Sequence, residues 1–67
     1  VTTKPAFHPE IRIGQVKTFG TEGPAYEVTG LGQATDTGEW LVPIRVILSG
    51  EELGYPFSQF ALDPEAV

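Results

Sequence analysis

Apolar and polar positions alternate in several stretches of this chain, and glycine or proline interrupts the pattern between them. Alternation with a period of two marks a half-buried strand. The most regular run is Glu39 to Leu48, where Trp40, Val42, Ile44, Val46 and Leu48 fall on one face. The opposite face carries Glu39, Leu41, Pro43, Arg45 and Ile47, and is only partly polar. Pro43 has no N–H to donate, so its backbone is expected at an edge or a bulge. Leu41, Pro43 and Ile47 call for a cover, which the tail, the C-terminal segment or a partner would supply.

Three weaker runs accompany this one. A first strand is predicted over Ile11 to Phe19, with a phase slip at Gly14 that implies a bulge or tight bend. Beyond the slip, Val16 and Thr18 share one face and Lys17 and Phe19 the other. Residues 19–24 (FGTEGP) form a turn, followed by a second strand from Ala25 to Gly32 with Tyr26 and Val28 on one face. Gly30 and Gly32 leave gaps that predict a sharp bend. Residues 34–39 (ATDTGE) are the clearest hairpin signal, with a left-handed position expected at Gly38. A turn at 48–52 leads to a short strand, Glu52 to Tyr55, that pairs back on the third. In residues 56–64, Phe57, Phe60 and Ala61 sit at helical spacing after a proline, which suits one or two helical turns capping the open end of the sheet.

These elements predict an all-β fold: a small antiparallel meander of about four strands, an SH3-like or half-open barrel, with a short C-terminal helical turn. A flat curved sheet that dimerises through its exposed face is the alternative. Residues 1–10, which contain Pro5 and Pro9, read as a flexible tail on which Phe7 is the one large apolar anchor. Residues 11–67 form a single small β domain.

Composition narrows this picture. With 67 residues, one core supplies a stability of only roughly 3–5 kcal/mol. Domains of this size often carry a staple, but cysteine is absent and His8 is the lone histidine. Neither a disulfide nor a zinc site is therefore expected. Oligomerisation or tight packing has to serve instead. No apolar run is long enough to span a membrane, no signal peptide is visible, and the lack of cysteine fits a cytoplasmic setting.

Nine acidic against four basic residues give a net charge of −5. Lys4, Arg12, Lys17 and Arg45 are too few and scattered to track a phosphate backbone, which argues against nucleic acid. The acidity either keeps a small protein soluble or suits a basic partner.

Catalytic chemistry finds little support. Ser49 and Ser58 occupy turn or capping contexts, and His8 lies in the tail, so no activated nucleophile is assembled. Glu51 and Glu52 are adjacent and splay apart, and Asp36 and Glu39 flank a hairpin. The glycine-rich segments 19–24 and 30–38 lead into strands, without the helix N-terminus that a phosphate loop requires. Of the aromatic residues, Trp40 is expected in the core. Tyr26 and Tyr55 are read as keeping their hydroxyls wet and within reach of a partner. No catalytic residue, cofactor or metal ligand is assigned.

The pattern G-x-x-G-P-x-Y-E-V at 20–28, together with G-E-E-x-x-Y-P at 50–56, resembles a family of short uncharacterised bacterial proteins across residues 13 to 66. These motifs specify turns and packing rather than chemistry, and the resemblance implies no activity.

The functional expectation is a non-enzymatic protein-interaction module that self-associates as a homodimer or binds a protein partner. Its candidate surface comprises Leu41, Pro43, Ile47, Tyr26 and Tyr55. The competing expectations are a nucleic-acid-binding small β-barrel, and an acidic antitoxin-like or inhibitor protein that binds a basic partner.

Overall fold

The computed structural model describes residues 10–66, so the expectations for the tail, including Lys4, Phe7 and His8, lie outside the described residues. Five strands appear in chain order: β1 (Val16–Thr18), β2 (Ala25–Val28), β3 (Gln33–Ala34), β4 (Trp40–Val46) and β5 (Glu52–Pro56). A single helical turn, α1 (Phe57–Phe60), follows β5 directly.

All strand pairs are antiparallel. β4 is the centre of the sheet. β2 and β3 lie end to end along one of its edges, and β5 lies along the other. Because β2 and β3 run in the same direction on the same edge, the sheet is an antiparallel meander whose second strand is interrupted. The strands do not close into a barrel. β1 pairs with β2, and its outer edge is met by the C-terminal segment, where Thr18 N–H donates to Pro64 C=O and Ala66 N–H to Val16 C=O.

Three strand boundaries differ from the sequence expectation by more than one residue, and turn geometry explains the first and the last. The first strand does not begin at Ile11, because Gln15 N–H donates to Arg12 C=O and Gly14 adopts φ +92°. The predicted slip is a tight turn, and Ile13 ends up exposed while Ile11 is buried. The second strand breaks after Val28, so five strands are present where about four were expected. The third strand stops at Val46, where Gly50 N–H turns back onto the Val46 C=O. Leu48 therefore leaves the core face and is 91% exposed at the turn. The 34–39 hairpin has the expected left-handed Gly38, at φ +87°.

Pro43 occupies a central strand without breaking it. Its C=O accepts from Thr29 N–H, so its backbone faces the β2 side. Thr29 lies one residue past the end of β2, so the donor that proline lacks falls at the end of the β2–β4 ladder.

Cross-strand register defines the inner face. Tyr26 lies opposite Val46, Val28 opposite Ile44, and Val42 opposite Tyr55. Tyr26, Val28, Val42 and Ile44 are buried, together with Ile11 and with Phe60 from α1. Phe19, Trp40, Tyr55 and Phe57 pack around them, half-buried. α1 thus covers one face of the sheet and leaves the other uncovered by any described element.

Candidate interaction surface

The uncovered outer face can be read row by row from the register. One row is Gln33, Leu41 and Pro56; the next sets Pro43 beside Gly54; the third is Val16, Glu27, Arg45 and Glu52. Beyond it, Ile47 N–H donates to Ala25 C=O at the end of the sheet. Apart from Gln33 and Thr18, the polar groups among the paired residues of this face sit in its third row, where Arg45 forms an ion pair with Glu27.

A shallow depression lies at the apolar end, lined by Leu31, Leu41, Pro43 and the glycines 30, 32 and 54. Glycine brings the linking segment against β4 beside this depression. A Cβ at Gly32 would stand 2.3 Å from the Leu41 carbonyl oxygen, and one at Gly30 would stand 2.8 Å from Pro43 Cγ. The interrupted segment between β2 and β3 can lie against β4 only because those side chains are missing. Trp40 Nε1 donates to Leu31 C=O at 3.0 Å and holds the segment in place.

Of the five residues assigned from sequence to an interaction surface, Leu41 and Pro43 come together in this depression, both half-buried. Ile47 is 51% exposed and lies apart, at the far side of the charged row. Tyr26 and Tyr55 are not on this face. Their residues pair with Val46 and Val42 on the inner side, so parity directs them into the core.

The tyrosine hydroxyls are engaged there. Tyr26 Oη and Tyr55 Oη both donate to Asp63 Oδ2, at 2.8 and 2.9 Å, and Gly20 N–H donates to Asp63 Oδ1 at 3.0 Å. Phe19 packs on both rings, with centroids 4.5 Å from Tyr26 and 5.2 Å from Tyr55. Burial first, and then the bond to Asp63, pushes the Tyr26 phenol well above its ordinary range. The same two causes push Tyr55 up to about 12. The expectation of wet hydroxyls is thus corrected: a buried phenol needs an acceptor, and the carboxylate of Asp63 supplies one for both.

Lys17 is the other inward polar residue. It stands opposite Tyr26 on the inner face and is only 6% exposed. Its Nζ donates to Phe60 C=O and lies 3.9 Å from the centre of the Phe60 ring. Burial lowers its pKa, opposed by the charges of Asp63 and Glu65. Neither role was legible in advance. Lys17 shares its face with Phe19 in the sequence pattern, which is the one available signal. Asp63, next to Pro64, looks only like a helix stop.

The described cations form no stripe. Lys17 is inside, Arg45 pairs with Glu27, and Arg12 approaches Glu65 at 4.0 Å. Glu10, Glu22, Asp36, Glu39, Glu51 and Glu52 are exposed and form no ion pair among the described residues. Ser49 Oγ accepts from Glu51 N–H inside its turn, and Ser58 is exposed on α1. Among the described residues, no three His, Cys, Asp or Glu side chains are grouped to hold a metal ion, and no helix is long and apolar enough to cross a membrane.

A family model described as a family of unknown function, DUF5397, matches residues 4–67 of the chain. No curated protein matches it.

Proposed function

The chain belongs to the DUF5397 family of unknown function, and from that premise we propose that it is a non-enzymatic protein-interaction module that docks a basic, apolar-tipped segment of a partner on the outer face of its sheet. The observation that carries this reading is the depression at Leu31, Leu41 and Pro43. No described element covers it, and Leu31, Leu41 and Pro43 line it with apolar side chains.

Charge selects the kind of partner. By strand parity Glu39 lies on the same face at one end of β4, and Glu27 and Glu52 flank Arg45 at the other. With six exposed carboxylates unpaired among the described residues and the described cations engaged, the field at the surface is negative. It favours and steers a cationic partner and disfavours a polyanion. An acidic inhibitor of a basic protein is the special case of this reading. The cysteine-free sequence is compatible with the cytoplasm as its setting.

The test is a titration of the isotopically labelled protein with a short peptide of alternating leucine and lysine, followed by amide chemical shifts. Shifts should centre on Gln33, Leu41 and Gly54, weaken with added salt, and disappear in Leu41→Glu. Equal binding of a leucine–glutamate peptide, or shifts elsewhere on the surface, would refute the reading.

A further inference from the structure

A second surface, which meets the outer face at Gly54, is the free edge of β5. The hydrogen bonds of β4 fix which backbone groups reach that edge. Pro43 C=O and Ile47 N–H bond toward the β2 side, whereas Val46 N–H bonds to Glu51 C=O on the β5 side. Odd-numbered residues of β4 therefore point to β2 and even-numbered ones to β5. Val42 lies opposite Tyr55 and Ile44 opposite Leu53. It follows that Leu53 and Tyr55 spend their backbone groups on β4, while Glu52 and Gly54 turn theirs outward. No described strand pairs with that side.

We infer that this edge joins a second copy of the chain, forming an antiparallel β5–β5 pair on a two-fold axis through Gly54. The edge is self-complementary in this register. Gly54 of each copy exchanges N–H and C=O bonds with Gly54 of the other, and no side chain obstructs the approach. Leu53, which is 39% exposed on the inner face, then lies opposite Tyr55 of the other copy at a pair without hydrogen bonds, where side chains come closest. Glu52 lies opposite Pro56 rather than Glu52, so like charges do not meet. Pro56 has no N–H and ends the ladder, which keeps the contact short and the dimer weak. A two-fold, isologous contact is the commonest way for a small chain to bury such an edge.

The experiment combines sedimentation with amide hydrogen exchange on the intact chain, from low concentration to about 1 mM. The weight-average mass should rise toward that of a dimer, and exchange at Gly54 should slow as it does. Gly54→Pro removes the outward N–H and leaves the β4–β5 ladder untouched. It should keep the wild-type circular dichroism and weaken the dimer roughly tenfold or more. Leu53→Lys, which keeps the backbone, should weaken it similarly and serves if the proline variant does not fold. A strict monomer over the whole range overturns the inference. So does a dimer that survives either variant, or a Gly54 amide already protected at the lowest concentration, which would mean that the chain's own residues hold the edge. Gly54 also lines the outer-face depression, so Leu53→Lys, on the inner face, is the variant that separates this contact from docking there.

Discussion

Tyr26 and Asp63, 37 positions apart in the chain, meet through a 2.8 Å hydrogen bond at the edge of the core. This contact ties the segment after α1 to the middle of the sheet, and Tyr55 shares the same carboxylate oxygen. Through it the C-terminal residues are held beside β1, where they complete the pairing of an otherwise free edge.

Asp63→Ala should destabilise the fold by about 1–3 kcal/mol, because it strands a phenol that is buried with its acceptor gone. Tyr55→Phe should cost less, about 0.5–1.5 kcal/mol, since Asp63 keeps Tyr26 and Gly20 as donors. Urea unfolding followed by Trp40 fluorescence measures both. Equal stability of wild type and Asp63→Ala would remove the carboxylate from this role.

The same cluster predicts alkaline sensitivity. Tyr55 has its folded pKa raised from 10.0 to about 12. In that window the unfolded chain has already lost the proton that the folded chain keeps, so stability falls as pH rises. The contribution is complete below pH 10 and lost on the way to 12. Lys17, shifted downward, acts with the opposite sign. The comparison is therefore a difference: the stability of Tyr55→Phe should fall less steeply over this range than that of wild type.

Lys17 should behave as a core residue rather than a surface cation. Lys17→Met keeps an apolar stem against the Phe60 ring but loses the bond to the Phe60 carbonyl, at a cost of about 1 kcal/mol. Lys17→Ala also removes the packing and should cost about twice as much. Thermal melts rank the pair, and indifference to both changes would contradict the buried geometry.

Phe60→Ala should leave the chain largely unfolded. Removing a buried phenylalanine costs about 3–5 kcal/mol, comparable to the whole stability of roughly 3–5 kcal/mol expected from a core this small. Far-UV circular dichroism in the absence of denaturant decides this.

Two glycines make a matched contrast. At Gly32 a Cβ would stand 2.3 Å from the Leu41 carbonyl oxygen, and φ is +91°. Gly32→Ala should therefore cost more than about 1 kcal/mol and shift Trp40 emission, because the added carbon also meets the indole nitrogen at 2.5 Å. At Gly54 the nearest atom would be 3.4 Å away, so Gly54→Ala should fold normally.

Local patterns carried much of this fold. Alternation along Trp40 to Val46 placed Val42 and Ile44 on the buried face. The Asp36–Gly38 turn announced its hairpin, and Pro56 with Phe57 and Phe60 announced the helical turn. Leu41 and Pro43 stood out on the second face because the alternation there was incomplete. These are consequences of short-range geometry, the two-residue repeat of a strand and the positive φ that a glycine permits, so one sequence is enough to display them.

What distant segments do to one another was decided only by the tertiary structure. Nothing near Asp63 reveals that two phenols and a backbone amide converge on it, nor does the neighbourhood of Lys17 reveal that Phe60 covers it. Tyr26 and Tyr55 turned inward because the strand register set them opposite Val46 and Val42, and register is a property of strand pairs rather than of either strand. The sequence by itself determined a glycine-punctuated antiparallel meander around β4. Packing of α1 onto one face decided which polar groups were buried and had to find partners, and which apolar side chains were left facing out.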